Sequence, residues 1–71
     1  MDQEVAQKIS DLMLEYGSKL DESLILVQQK CGEDEFKSYR TSVSRLMTIM
    51  LREVMNPLYE EYPEIKPKQL Y

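Results

Sequence analysis

Apolar residues in the first half of the chain recur at steps of three and four positions, which is the spacing of one face of an α-helix. At about 100° per residue they occupy a single arc of roughly 120°. The pattern keeps its phase across Gly17, so we predict one continuous helix over residues 3–31. The residues of this apolar stripe are Val5, Ile9, Leu12, Met13, Tyr16, Leu20, Leu24, Val27 and Cys31.

Gly17 permits a second interpretation. A glycine can end a helix, and Ser18 followed by Asp21 could cap a new one, which would give helices over residues 3–16 and 19–31. A glycine inside a helix costs only about 1 kcal/mol relative to alanine, and it can let a neighbouring helix approach closely. We predict the continuous helix, because a turn would normally reset the phase of the stripe.

The second half of the chain begins with a break and then carries its own helical pattern. Gly32 is predicted to take a left-handed conformation that ends the first helix. The acidic residues 33–35 follow at once, and negative charge is favourable in the first turn of a helix. We therefore predict a second helix over residues 34–55. Its apolar positions, on an arc of roughly 140°, are Phe36, Tyr39, Val43, Leu46, Met47, Met50, Leu51 and Val54.

Prolines divide the C-terminal part of the chain. Asn56 and Pro57 are typical of a helix start, which predicts a short turn over residues 57–62. A proline kink within a continuing helix is the alternative. Beyond Pro63 we predict an extended C-terminal tail over residues 63–71, which lies on the helices or frays.

These elements predict an all-α fold, with one helical domain over residues 1–62 that forms an antiparallel helical hairpin and a short C-terminal turn. A domain of this size buries only about 60% of its unfolded surface, and its single cysteine cannot form an internal disulfide. Leu14 and Ile25 lie outside the apolar stripe, so one hairpin leaves apolar surface open. We therefore predict a homodimer in which two hairpins form a four-helix bundle. If the first helix breaks at Gly17, a monomeric three-helix bundle is the better prediction.

The composition argues against catalysis and metal binding. The chain has no histidine, which removes the usual general base and the commonest transition-metal ligand. Cys31 lies at a predicted helix end, where the helix dipole disfavours a thiolate, and we interpret it as a small apolar residue. The acidic residues 33–35 lack the spacing of a calcium loop. We predict no enzyme, no catalytic residue, no cofactor and no metal site.

Signals for export and for membrane insertion are not evident in the sequence. The first residues are acidic, unlike those of a secretory or transit peptide. The longest apolar run, residues 24–27, is far shorter than the ~20 residues that span a bilayer. A lone cysteine also fits a reducing environment. We expect a cytoplasmic protein without a membrane segment.

Charge is unevenly distributed along the chain. Residues 1–35 hold nine acids and three lysines, a local net charge of −6, whereas residues 36–56 hold four basic residues and one acid, a local +3. Lys37, Arg45 and Arg52 share the polar face of the second helix. This face is a solvated surface whose arginines reach acids of the first helix or of the dimer mate, a docking site for an acidic protein, or a contact to nucleic-acid phosphates. Nucleic acid is the weakest option, because four basic residues in an acidic chain make a small electrostatic footprint.

Two further groups of residues have both a structural and a functional interpretation. Tyr59, Tyr62 and Tyr71 either cover a small core or form an aromatic patch for a partner. Met47, Met50 and Met55 suit either core packing or an adaptable groove for a helical ligand.

The sequence as a whole predicts a small, non-catalytic helical module for protein–protein interaction or regulation that also associates with itself. Its other partner would be an acidic or a helical protein. The alternative is a small nucleic-acid-associated regulator that uses the arginine-bearing face of the second helix. The candidate partner-binding residues are Lys37, Arg45, Arg52, Tyr59 and Tyr62.

Overall fold

The computed structural model describes residues 1–68, and its regular structure is helical throughout this range. Two long helices lie side by side in opposite directions, because Gly17 is opposite Met47 and Ser23 is hydrogen-bonded to Tyr39. The predicted all-α helical hairpin is therefore confirmed, and the molecule measures 45 × 20 × 16 Å. Its elements are α1 (Gln3–Lys30), α2 (Glu33–Ile49), a π-helical segment (Met50–Met55), α3 (Asn56–Glu61) and a 3₁₀ turn (Pro63–Ile65).

Helix α1 is continuous, as the phase of the apolar stripe predicts. It begins at an Asp2 N-cap, whose carboxylate accepts a hydrogen bond of 2.9 Å from the Val5 amide. The helix then passes through Gly17 without a break. Helix α2 passes close to this position, and a Cβ on residue 17 would lie 3.9 Å from the Met47 methyl carbon.

Replacing Gly17 by alanine is expected to stabilise the protein. A distance of 3.9 Å is an ordinary van der Waals contact, so the added methyl group fits without displacing Met47. Alanine is about 1 kcal/mol more favourable than glycine inside a helix, which corresponds to a rise in Tm of about 4–8 °C in a domain of this size. Thermal unfolding followed by circular dichroism measures this shift. A lower Tm for Gly17→Ala would show that the two helices need a closer approach than 3.9 Å.

The connection between the two helices differs from the prediction in one respect. Cys31 and Gly32 both have extended backbones, with φ of −122° and −70°. The predicted left-handed glycine is therefore wrong. Gly32 instead serves as the N-cap of α2, without a side-chain hydrogen bond. The extended backbone of Cys31 already ends α1. Gly32 therefore does not need a positive φ to end that helix.

Pro57 does not interrupt the second helix. The predicted stop near Met55 and the predicted N-cap at Asn56 are wrong, because Asn56 is helical, with φ −62° and ψ −48°. A proline inside an α-helix clashes with the carbonyl four residues earlier and lacks an N–H donor. Here the preceding turn is widened, and the Asn56 amide bonds to the Leu51 carbonyl five residues back. The alternative prediction of a helix that continues through Pro57 is therefore confirmed, and the distortion observed there is a π-helical turn.

The core lies at the end of the hairpin where α3 returns against the start of α1. Its buried residues are Ala6, Met55, Leu58, Tyr59 and Ile65, with Ile9, Met13, Leu51 and Tyr62 packed against them. The predicted extended tail is wrong for Pro63–Ile65, where a 3₁₀ turn places Ile65 in this core. Lys66 then has an extended backbone. The part of the predicted tail over 69–71 lies outside the described residues.

Candidate interaction surfaces

The line of α1 residues that faces α2 is narrower than the predicted stripe. It repeats at alternating steps of four and three residues, which is the seam of two packed helices. Val5, Leu12 and Tyr16 belong to the predicted stripe but are exposed, because each immediately precedes a seam residue and is rotated about 100° away from the contact. Ile9 has the same position relative to the seam but is half-buried, because it packs against the core. The buried and half-buried seam residues are Ala6, Ser10, Met13, Gly17, Leu20, Leu24 and Val27.

One side of the hairpin carries a groove between its long helices. On the α1 side the groove is lined by Leu14 and Ser18, each of which immediately follows a seam residue. On the other side Leu51 of the π-helical segment lines it. The groove has a volume of about 420 Å³ and is mainly apolar. Its methionines include the three that the sequence predicts to form either core or an adaptable groove. We call this surface the methionine groove, lined by Met13, Leu14, Gly17, Ser18, Asp21, Met47, Met50, Leu51 and Met55.

The opposite side of the hairpin carries a second apolar surface. The groove contains residues that follow the seam of α1, so residues that precede the seam lie on the other side. Leu12 is 41% exposed and Tyr16 is 52% exposed, and Ile49 on the second helix is 50% exposed. On the second helix, Leu46 and Ile49 each precede a residue that lines the groove, so they also lie on this side. We call this surface the Leu12 face, formed by the exposed residues Val5, Leu12, Tyr16, Leu26, Leu46 and Ile49.

The predicted arginine face is exposed and borders this second surface. Arg45 and Arg52 line a shallow depression of about 460 Å³ together with Ile49. Arg40 lies over the Phe36 ring at 5.5 Å from its centre. Within residues 1–68 the arginines take part in no ion pair, so they do not reach the acids of α1.

Of the predicted basic site residues, Lys37 is the one that forms an ion pair within residues 1–68. Its ammonium group lies 3.4 Å from a Glu33 carboxylate oxygen, one turn earlier on α2. Both side chains are largely exposed, and such pairs contribute little to stability because water screens them.

The hydroxyl groups of Thr41 and Thr48, on the same helix, donate hydrogen bonds to backbone carbonyls one turn earlier, at 3.0 and 2.8 Å. These hydroxyl protons are therefore already used within the helix.

Tyr59, a candidate partner-binding residue, is buried in the core and is not part of an exposed surface. Its side chain is 5% exposed, and its hydroxyl lies 2.6 Å from the Ser10 hydroxyl in a buried hydrogen bond. Of the two interpretations of Tyr59, the structure supports the cover of a small core. Sequence reasoning missed Ser10, because a serine was not counted in an apolar stripe. Its spacing between Ala6 and Met13 could have identified it as a seam residue.

Tyr62 closes the same end of the molecule from outside the buried core. It is half-buried, packs against the core and donates its hydroxyl hydrogen bond to the Met1 carbonyl. Partial desolvation raises the pKa of Tyr62, and the nearby charges of Glu61 and Asp2 raise it further. The packing of Tyr62 against the core and its hydrogen bond to Met1 fit a covering role better than a docking patch.

Other kinds of site find little support in the described part of the chain. Cys31 is exposed rather than buried at the end of the stripe. Among residues 1–68, histidine, cysteine and acidic side chains form no cluster of three or more that could hold a metal ion. Over the same range no helix is both long and apolar enough to cross a membrane.

Comparison with protein-family models, curated proteins and solved structures gives no match for this chain. The candidate surfaces therefore rest on the chain's own geometry.

Proposed function

We propose that this chain is a small, non-catalytic helical module for protein–protein interaction, and that it associates with a second copy to form a four-helix bundle. The observation that carries this proposal is the imbalance between buried and exposed apolar residues. Among residues 1–68 only six apolar residues are buried, whereas ten large ones are exposed. Two helices side by side can bury only one seam, so the remaining apolar surface needs a partner.

The magnitude of this exposed surface supports association. Fully burying a leucine, isoleucine or valine contributes about 1.5–3 kcal/mol, so a residue that is already half-covered contributes roughly half of that. A symmetric contact uses each such residue twice. Several residues on one face therefore supply a favourable free energy that is large enough to offset part of the cost of ordering a second molecule.

The oligomeric state tests the proposal directly. Size-exclusion chromatography with light scattering, run over a concentration series up to millimolar, is expected to give twice the chain mass of 8.4 kDa. The mass should fall toward that of one chain on dilution, as mass action requires. A mass of one chain throughout the series would reject self-association.

A second candidate function uses the arginine face to bind nucleic acid. Arg45 and Arg52 favour it, because both are exposed and form no ion pair within residues 1–68. The overall charge of −4 opposes it, since phosphate binding depends on a concentrated positive surface. A salt titration of DNA binding separates the two functions: retention that disappears with rising salt supports the nucleic-acid function, and no retention at low salt rejects it.

A further inference from the structure

We propose that the second copy covers the Leu12 face, and that α1 of each protomer lies beside the second helix of its partner. This inference rests on the self-association proposed above. It specifies which of the two apolar surfaces is covered and which helices meet. The exposure, the shape and the charge of the described residues support it.

A second copy would remove more apolar area from water on the Leu12 face than in the methionine groove. Tyr16 and Ile49 are about half exposed, whereas Met13 and Met47 in the groove are already half-buried and Met55 is buried. Association is driven by the apolar area that is removed from water. The groove is also concave, and two identical concave surfaces placed face to face would enclose a void.

Two symmetric arrangements bring the Leu12 faces of two hairpins together. When the twofold axis runs along the helices, α1 of each protomer lies beside α2 of the other. When the axis crosses the helices at right angles, α1 lies beside α1 and α2 lies beside α2. The apolar residues alone do not distinguish these arrangements.

The charge distribution selects the first arrangement. Residues 36–52 of the second helix hold four basic residues and no acid. Residues 11–28 of α1, which lie at the same level along the hairpin, hold one lysine and three acids outside the methionine groove, and a fourth acid, Asp21, lines the groove. An axis along the helices places the basic stretch of one protomer beside the acidic stretch of the other, whereas a crossed axis brings the two basic stretches together. The two ion pairs found in residues 1–68 lie within single helices, so the arginines remain available to a partner.

This arrangement also fixes which residues meet at each level along the helix axes, which we call their height. Because Gly17 lies opposite Met47 within the hairpin, and an axis along the helices preserves height, Tyr16 stands beside the partner's Leu46 and the partner's Ile49. Tyrosine is a frequent anchor at the centre of protein interfaces. The expected contact is thus an aromatic ring on two exposed aliphatic side chains.

The choice of face is tested by Leu12→Glu, with Ile25→Glu as the matched control. Both residues are exposed on α1, but Ile25 follows a seam residue and so lies on the groove side. We expect light scattering to give the mass of one chain for Leu12→Glu and of two chains for Ile25→Glu. Circular dichroism should show that both variants keep the helicity of the wild-type protein. If Leu12→Glu loses helicity, Leu46→Glu repeats the test on the second helix. A dimer that survives the substitution in a folded variant, or that only Ile25→Glu disrupts, would overturn the inference.

The pairing of helices is tested by disulfide formation between Tyr16→Cys and Ile49→Cys. Each substitution is made with Cys31→Ser, because the exposed native thiol would otherwise react. After mixing and mild oxidation, the disulfide between the two variants is expected to form several-fold faster than the disulfide between two copies of Tyr16→Cys. Equal or faster pairing of two Tyr16→Cys chains would place α1 beside α1 and overturn the arrangement.

The failures of the two proposals are distinguishable. A wild-type chain that stays monomeric rejects self-association, and with it this inference. A wild-type dimer that Leu12→Glu leaves intact rejects only the choice of face. A dimer that Leu12→Glu disrupts but that crosslinks through α1 rejects only the arrangement of the helices.

Discussion

Replacing Tyr59 by alanine is expected to remove most of the free energy of unfolding of the protein. Truncating a buried aromatic residue costs about 3–5 kcal/mol. The change also leaves the buried Ser10 hydroxyl without its partner, which adds about 1–3 kcal/mol. Natural domains have only about 0.05–0.15 kcal/mol of stability per residue, or about 4–10 kcal/mol for a chain of this length. Urea unfolding followed by circular dichroism, at a fixed protein concentration, measures the loss.

The hydrogen bond and the ring can be separated by a double-mutant cycle. Tyr59→Phe keeps the ring and removes the hydroxyl, so it is expected to cost about 1–3 kcal/mol through the unpaired Ser10 oxygen. Adding Ser10→Ala should recover most of this loss, because both polar groups are then absent. If Tyr59→Phe alone has no effect, the buried hydrogen bond between Ser10 and Tyr59 contributes nothing to stability.

Removing the C-terminal 3₁₀ turn is expected to produce the second large loss. A chain that ends after Tyr62 lacks Ile65, whose side chain is buried among the core residues. The truncated chain should lose at least the 2–5 kcal/mol that is typical of a buried isoleucine truncated to alanine. Thermal unfolding, compared with that of the full chain, measures the effect.

Two point substitutions show whether this loss comes from the core contact. Ile65→Ala removes the contact alone and is expected to cost about 2–5 kcal/mol. Glu64→Ala changes the exposed neighbouring residue and should alter stability by less than about 0.5 kcal/mol. An unchanged melting temperature after truncation would identify the segment as a docking tail instead of a cover for the core.

The hairpin could be predicted because helical periodicity reports directly on burial over many residues. The continuous α1, the short connection near Gly32 and the association of Met47 with Met50 and Met55 all follow from spacing alone. The width of the buried line could not be predicted in the same way. An arc of apolar residues shows which side of a helix is apolar, but the number of neighbouring helices decides how much of that arc is covered.

The remaining differences arise where tertiary contacts override local preference. Pro57 is a strong local signal for a helix start, yet the widened turn before it allows the helix to continue. Pro63 likewise suggests an extended chain, but burial of Ile65 favours a compact turn. Tyr59 is buried in the core, where its hydroxyl meets Ser10, a polar residue that apolar periodicity does not mark. Of the five candidate site residues, Lys37, Arg45 and Arg52 are exposed, as expected for the polar face of the second helix.

The π-helical segment Met50–Met55 has a consequence for changes in chain length. A π-helical turn contains one more residue than an α-helical turn needs, so it behaves like an insertion of one residue that the helix has absorbed. A single-residue deletion inside Met50–Met55 would restore the ordinary turn and leave the rotational phase of α3 unchanged. The same deletion elsewhere in α2 would rotate Leu58 and Tyr59 by about 100° away from the core. This segment is therefore a place where the chain can lose one residue and still present the same core.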